Sequence, residues 1–350
     1  MRRIALFASI LVAAVPARAP FALAQAPART AAAAGPSVGP GGAALQVEGL
    51  VELAARMVRA GPVVGAVWPG FWGAEQGFML LHPRDTALLV LPRTPPADYA
   101  PLAGGAVPPE LRGRAYLRQA YPPELGPNSF SIGYVVGTDT VPALQPRGNT
   151  LFSRLDFYYH ESFHGYQHRR FAPSPLGDRR VRMGDRLVDS DVTAAPGFTT
   201  LGELERRLLA QALRTGQRDS VQAVVRAYLA VRRARTGALP QVRAVERSFE
   251  RLEGTAHWVG CTAAARALEE PARRVTECVT EELERPLDDF PSMPEADARQ
   301  MRWRQYGTGA AMALLLDRLE VEWRAQVQAG AYLDELLSAA VGDAEGGAAN

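Results

Sequence analysis

His160, Glu161 and His164 stand in the spacing H-E-x-x-H, inside a stretch, residues 151–167, whose apolar residues recur at helical steps. On a helix, positions i and i+4 lie on one face, so two imidazole nitrogens can reach one tetrahedral cation. The carboxylate next to the first of them can then reach the open coordination position and act as general base on a zinc-bound water. The pattern therefore points to metal-assisted hydrolysis. The chain has five His, and three of them (His160, His164, His168) fall within nine residues, which argues against an incidental pair on a solvated helix. His168 is expected at the surface near the helix C-terminus, where a cation is favoured, and His82 in a turn.

The elements that must position these groups are next. Leu151, Phe152, Leu155, Tyr159, Phe163 and Tyr166 form a core-facing stripe, and Asp156, His160, His164 and Gln167 form a polar row beside it, as a cleft wall would. A hydrolytic zinc site usually takes a third protein ligand. The extended pattern that supplies a third His would need Gly at 167 and His at 170, where the chain has Gln167 and Arg170. A second helical run offers Val245, Phe249, Leu252 and Ala256 on one side and Glu246, Glu250, Glu253 and His257 on the next. Stacked carboxylates repel unless cations offset them. A zinc ion would do so, as would a solvated face pairing with Arg247 and Arg251.

Within that run, Glu253-Gly254-Thr255-Ala256 resembles the E-G-x-A stretch that carries the third ligand in gluzincin-type metallopeptidases. Trp68-Pro69-Gly70-Phe71, the segment H-E-S-F-H-G-Y-Q at 160–167, and Tyr306-Gly307-Thr308-Gly309 leading into Asp317 accompany it in order. Over most of residues 60–325 the chain thus resembles a family of exported gluzincin-like proteins. The resemblance implies a zincin-like fold, with zinc on His160, His164 and Glu253. It implies Glu161 as general base and then proton donor to the leaving amine, and a peptide bond as target. Glu250 and His257, one turn either side, are candidates to orient a ligand, and either is an alternative third ligand. Tyr306 is a candidate donor to the oxyanion; the competing reading is a Tyr packed on the core at a helix start. Gly307 and Gly309 would permit close approach of backbone or substrate. The chain between His164 and Glu253, a separation of 89 positions, must form extra helices that return to the metal.

The N-terminus, with Arg2 and Arg3, an apolar run from Ile4 to Val15 and Ala22-Leu23-Ala24, reads as a secretory signal peptide over 1–24. Export, to the periplasm or outside, follows as an expectation, without stable membrane insertion after cleavage. Arg2, Arg3 and Arg18 leave with the signal, so the remainder carries 36 basic against 37 acidic groups. The Arg residues are dispersed, and no nucleic-acid partner is expected. A peptide or protein substrate is. Cys261 and Cys278, the only cysteines, favour one intrachain disulfide in an exported chain.

Residues 25–43, rich in Ala, Gly and Pro, read as a disordered linker. A single unit over 44–341 follows, and a loose tail over 342–350. Residues 45–60 have helical spacing; 77–82 and 86–91 read as a hairpin, and 130–136 as a strand. That strand, or the segment around Val141, would lie beside the metal helix and pair with an extended substrate. Residues 174–199 read as a loop over the cleft. Helices are expected at about 201–215, 218–236, 241–260, 262–284, 295–325 and 328–341. The fold class is α+β, predominantly helical, with a small N-terminal sheet. The rival to a hydrolase is a non-catalytic envelope interaction protein with a helical binding surface and an absent or structural metal site.

Overall fold

The helix that bears the histidines starts at a reciprocal cap. Thr150 N–H donates to Ser153 Oγ at 3.0 Å and Ser153 N–H to Thr150 Oγ1 at 3.1 Å, satisfying two of the first-turn donors. It then runs unbroken as α3 (Leu151–Arg170), closing on His168 and on Arg169 and Arg170, whose charges suit the C-terminal end of the helix dipole. His168 is exposed there. In this computed structural model of the 350-residue chain, the described residues are 47–82, 86–103, 107–122, 125, 131–173, 197–286 and 303–343. They belong to one compact unit. The expected signal, linker and covering loop up to residue 196, and the tail beyond 343, lie outside the described residues.

Two short helices, α1 (Val47–Arg59) and α2 (Gly61–Gly65), precede a sheet made of β1 (Phe78–Leu81), β2 (Ala87–Val90), β3 (Ala100–Pro101), β4 (Ala115–Arg118), β5 (Ser131–Val136) and β6 (Asp139–Leu144). The order is β3-β4-β2-β1-β6-β5. Phe-Met-Leu-Leu and Ala-Leu-Leu-Val are continuous apolar runs because β1 and β2 are buried on both faces. They pair antiparallel, Phe78 opposite Val90, as the hairpin reading expects. β1 also pairs in parallel with β6, Met79 opposite Ala143. One face of the sheet meets the helices in the main core, and the other packs under Tyr99, Tyr116 and Leu125 in a smaller one. Tyr158 of α3 is fully buried, and its hydroxyl donates to the carbonyls of Met79 and Pro142, both at 3.0 Å. That bond pins the histidine helix across β1 and β6.

The sheet corrects one expectation. β6, which holds Val141, is interior, between β1 and β5, whereas β5 is an outermost strand among the described residues. β5 lies against α3 so closely that a Cβ at Gly165 would come within 2.5 Å of the Ile132 carbonyl oxygen.

The rest is helical: α4 (Phe198–Arg214), α5 (Arg218–Thr236), α6 (Pro240–Phe249), a π turn (Glu250–Gly254), α7 (Thr255–Ala267), α8 (Ala272–Glu284), α9 (Arg304–Arg318), α10 (Arg324–Ala329) and α11 (Leu333–Ala340). The α+β, predominantly helical class is therefore the one observed. The expected break near 261 falls instead at 268–271, where Glu269 takes φ +56° and Pro271 cannot continue the helix. The expected helix over 295–325 ends at Arg318, just before Glu320 at φ +61°. Among the described residues no helix is long and apolar enough to cross a membrane.

Candidate metal centre

α3 turns His160 and His164 toward the continuous rod formed by α6, the π turn and α7. The approach is tight: a Cβ at Gly260 of α7 would lie 2.7 Å from the Asp156 carbonyl oxygen and 3.2 Å from His160 Cβ. With Gly there, the two helices come close enough for side chains at 160, 164 and 253 to meet.

The π turn decides which carboxylate arrives. In an uninterrupted α-helix, Glu246, Glu250 and Glu253 would share a face. The wider i→i+5 turn over Glu250–Gly254 breaks that register, as π bulges at functional sites often do. Glu246 and Glu250 point back into the helical lobe and are fully buried there against arginines. Arg232 of α5 holds Glu250 in a bidentate pair at 2.6 and 2.8 Å, and Arg235 holds Glu246 at 2.7 and 2.9 Å. Glu253 instead faces the histidines. The partners weighed for a solvated face go elsewhere: Arg247 meets Asp334 at 2.9 Å, and Arg251 donates to the carbonyls of Val327 and Ala172. The π turn is itself seated by α9, since a Cβ on Gly254 would overlap Gly309 Cα. Gly307 similarly meets the backbone of α8 at Leu283. Both glycines serve backbone contacts.

His164 Nε2 lies 3.0 Å from His160 Nε2 and 3.1 Å from Glu253 Oε2, and His160 Nε2 lies 3.6 Å from the same oxygen. Zinc bonded at about 2.0–2.1 Å in a tetrahedral array separates its ligand atoms by about 3.3 Å. The three atoms already have that spacing to within a few tenths of an ångström, and the donor set suits zinc. His160 and Glu253 are buried, and His164 is half-buried. Burial disfavours a charged His164, but the charge and hydrogen bond of Glu253, with Glu161 and Gln167 adding, outweigh it and raise the imidazole to about 9 from 6.5. The pocket thus favours a positive charge between these groups.

Gln167, one turn beyond His164, ties the two elements together. Its Oε1 lies 2.7 Å from His164 Nδ1, and its Nε2 donates to the Leu252 carbonyl and to Thr255 Oγ1, each at 2.8 Å. With both amide hydrogens so committed, Oε1 can only accept, which makes Nδ1 the protonated nitrogen and leaves Nε2 for a metal. Sequence reasoning placed Gln167 in the polar row without giving it this role; its position three residues after the second His was the signal.

Glu161 is half-buried, and its charge acts on His164. Tyr306, third residue of α9, lays its ring parallel to His160, with centroids 5.5 Å apart and 4° between planes, and Trp303 stacks with it at 5.0 Å. It borders the site, although it also sits at a helix start. The two alternatives to Glu253 are placed elsewhere. Glu250 is bound to Arg232, and His257 directs Nε2 toward Cys261 Sγ at 3.7 Å. Cys261 and Cys278 form a disulfide joining α7 to α8. A cavity of about 500 Å³ lined by Trp68, Tyr166, Arg170, Phe171, Arg324 and Gln328 lies apart from the cluster, and no site residue lines it.

Comparison with protein-family models, curated proteins and solved structures finds no match to this chain.

Proposed function

We propose that this chain is an exported zinc-dependent hydrolase, most simply a metallopeptidase of gluzincin-like chemistry. The observation that carries the proposal is the convergence of His160, His164 and Glu253 from elements 89 positions apart, at zinc-ligand spacing, with the charge of Glu161 acting on His164. When bound, zinc supplies a Lewis acid and lowers the pKa of water in its open position. Glu161 takes the proton of the attacking water and passes it to the leaving amine. Gln167 keeps His164 in the required tautomer. Tyr306 donates a hydrogen bond to the oxyanion. β5, an outer strand beside α3, offers backbone N–H and C=O groups to an extended peptide, which supports a peptide substrate. The N-terminal segment and the Cys261–Cys278 bridge support an oxidising, extracytoplasmic location.

A purely structural zinc would not require Glu161. The test is hydrolysis of a mixed peptide library by the zinc-loaded chain and by Glu161→Gln. Wild-type cleavage that drops by about 10²–10⁴-fold in a variant with unchanged zinc content supports the hydrolase. Equal traces from both would leave an interaction protein with a structural metal as the better account.

A further inference from the structure

α7 carries a second group of potential ligands. His257 and Cys261 follow Glu253 at four-residue steps, and Cys278 reaches across from α8. His257 Nε2, Cys261 Sγ and Cys278 Sγ all lie within 4.8 Å of one another, and all three residues are buried. As a disulfide, the sulfurs carry no negative charge and make poor ligands, because the thiolate is the ligating form. The histidine is arranged for them nonetheless. It hydrogen-bonds the Cys278 backbone and directs Nε2 at Cys261 Sγ.

We propose that reduction of the Cys261–Cys278 bond creates a site for a thiophilic dication such as zinc, held by His257 Nε2, Cys261 Sγ and Cys278 Sγ. The metal content of the protein then depends on its redox state. The step balances with a dithiol reductant: its two thiols give two electrons and two protons and close to a disulfide, while the Cys261–Cys278 bond opens to two thiols. A dication then displaces the two thiol protons. Tetrahedral zinc would set the imidazole nitrogen about 3.6 Å from each sulfur and the sulfurs about 3.8 Å apart. The nitrogen already stands 3.7 Å from Cys261 Sγ, and Cα atoms 6.0 Å apart let the sulfurs separate by side-chain rotation. Cys261 is wholly buried and Cys278 is 6% exposed, so a reductant meets Cys278 first. The new cation would border His160, whose ring centroid lies 6.3 Å from that of His257. The inference goes beyond the hydrolase and does not require it.

Cobalt(II) is the probe, titrated into the full chain before and after reduction with dithiol and anaerobic desalting. The oxidised chain should take up one equivalent without thiolate-to-cobalt charge-transfer absorption. The reduced chain should take up a second, with that absorption in the near ultraviolet. Cys261→Ser/Cys278→Ser should bind a single equivalent and show none, and His257→Ala, reduced, should hold the second at least tenfold more weakly. A reduced chain that keeps its circular dichroism yet shows no thiolate absorption overturns the proposal. So does loss of circular dichroism on reduction, since the site requires α7 and α8 to stay packed. An oxidised chain that binds no cobalt, alongside a reduced chain that binds one with thiolate absorption, would sink the hydrolase and leave this site standing.

Discussion

Two clusters of buried charge lie within one turn of each other on the same helical rod, and they have opposite chemical characters. In the first, Arg235 grips Glu205 at 2.6 and 2.9 Å as well as Glu246, while Arg232 grips Glu250 and approaches Asp334 at 3.4 Å. Arg247 at 2.9 Å and Arg243 at 3.5 Å complete the set at Asp334, so four guanidiniums, each a permanent cation with a donor fork that fits carboxylates, face four carboxylates. In the second, Glu253 faces two imidazoles. Imidazole, unlike guanidinium, can yield its proton to a competing metal ion, so this cluster has the chemistry to exchange a proton for an external cation. The π turn separates the two fates. A buried carboxylate matched by arginine is closed to a further cation; one matched by histidine is the candidate for metal binding.

The strongest break in that comparison is Arg235→Leu. It strands Glu205 and Glu246 in the core and should cost about 3–5 kcal/mol in urea unfolding, while the molecules that remain folded keep their zinc. Loss of zinc at unchanged stability would mean that the two clusters are not separate. Next comes Gln167→Ala, which frees the His164 tautomer without removing a ligand. Zinc affinity, measured by competition with a chelator, should fall by about 10–100-fold, and Gln167→Glu, whose carboxylate can still accept from Nδ1, should recover part of it. Equal affinity in wild type and Gln167→Ala would contradict the bridge.

Asp156 sharpens the comparison as a carboxylate of a third kind. Burial, then the negative charge of Glu282, raises it to about 7 from 3.8. Between those pH values the folded chain keeps a proton that the unfolded chain has released, so this group costs stability as pH rises from about 4 to 7. Asp156→Asn should gain about 1–2 kcal/mol relative to wild type at pH 8 compared with pH 4, allowing for the partial exposure of the residue. A pH-independent difference in denaturation midpoints would contradict it.

The histidine pair was legible because its logic is local: i and i+4 share a face wherever the helix goes. Glu253 was legible only through its resemblance to an E-G-x-A stretch. Helical periodicity alone put it in one row with Glu246 and Glu250, since nothing in the pattern of apolar residues marks a π turn. Gly254 and Gly309 could be seen as small residues, but their use, backbone against backbone, depends on how α9 crosses the rod. Arg232 and Arg235 were invisible as partners because they come from a helix closed by a loop before α6, and Arg247 and Arg251 were nearer in sequence. The short strands β3 and β4 carry too few residues to show alternation. Pro271 was available to mark the end of α7, and the unbroken run of small and apolar residues through Cys261 shows why an earlier break was not required.

The central claim, that Glu253 joins His160 and His164 around one ion, is tested most directly by zinc stoichiometry. Elemental analysis of the oxidised chain after loading and dialysis should give near one zinc in wild type and little in Glu253→Ala or His160→Ala. No zinc in the wild-type chain, or a full equivalent retained in Glu253→Ala, would contradict it.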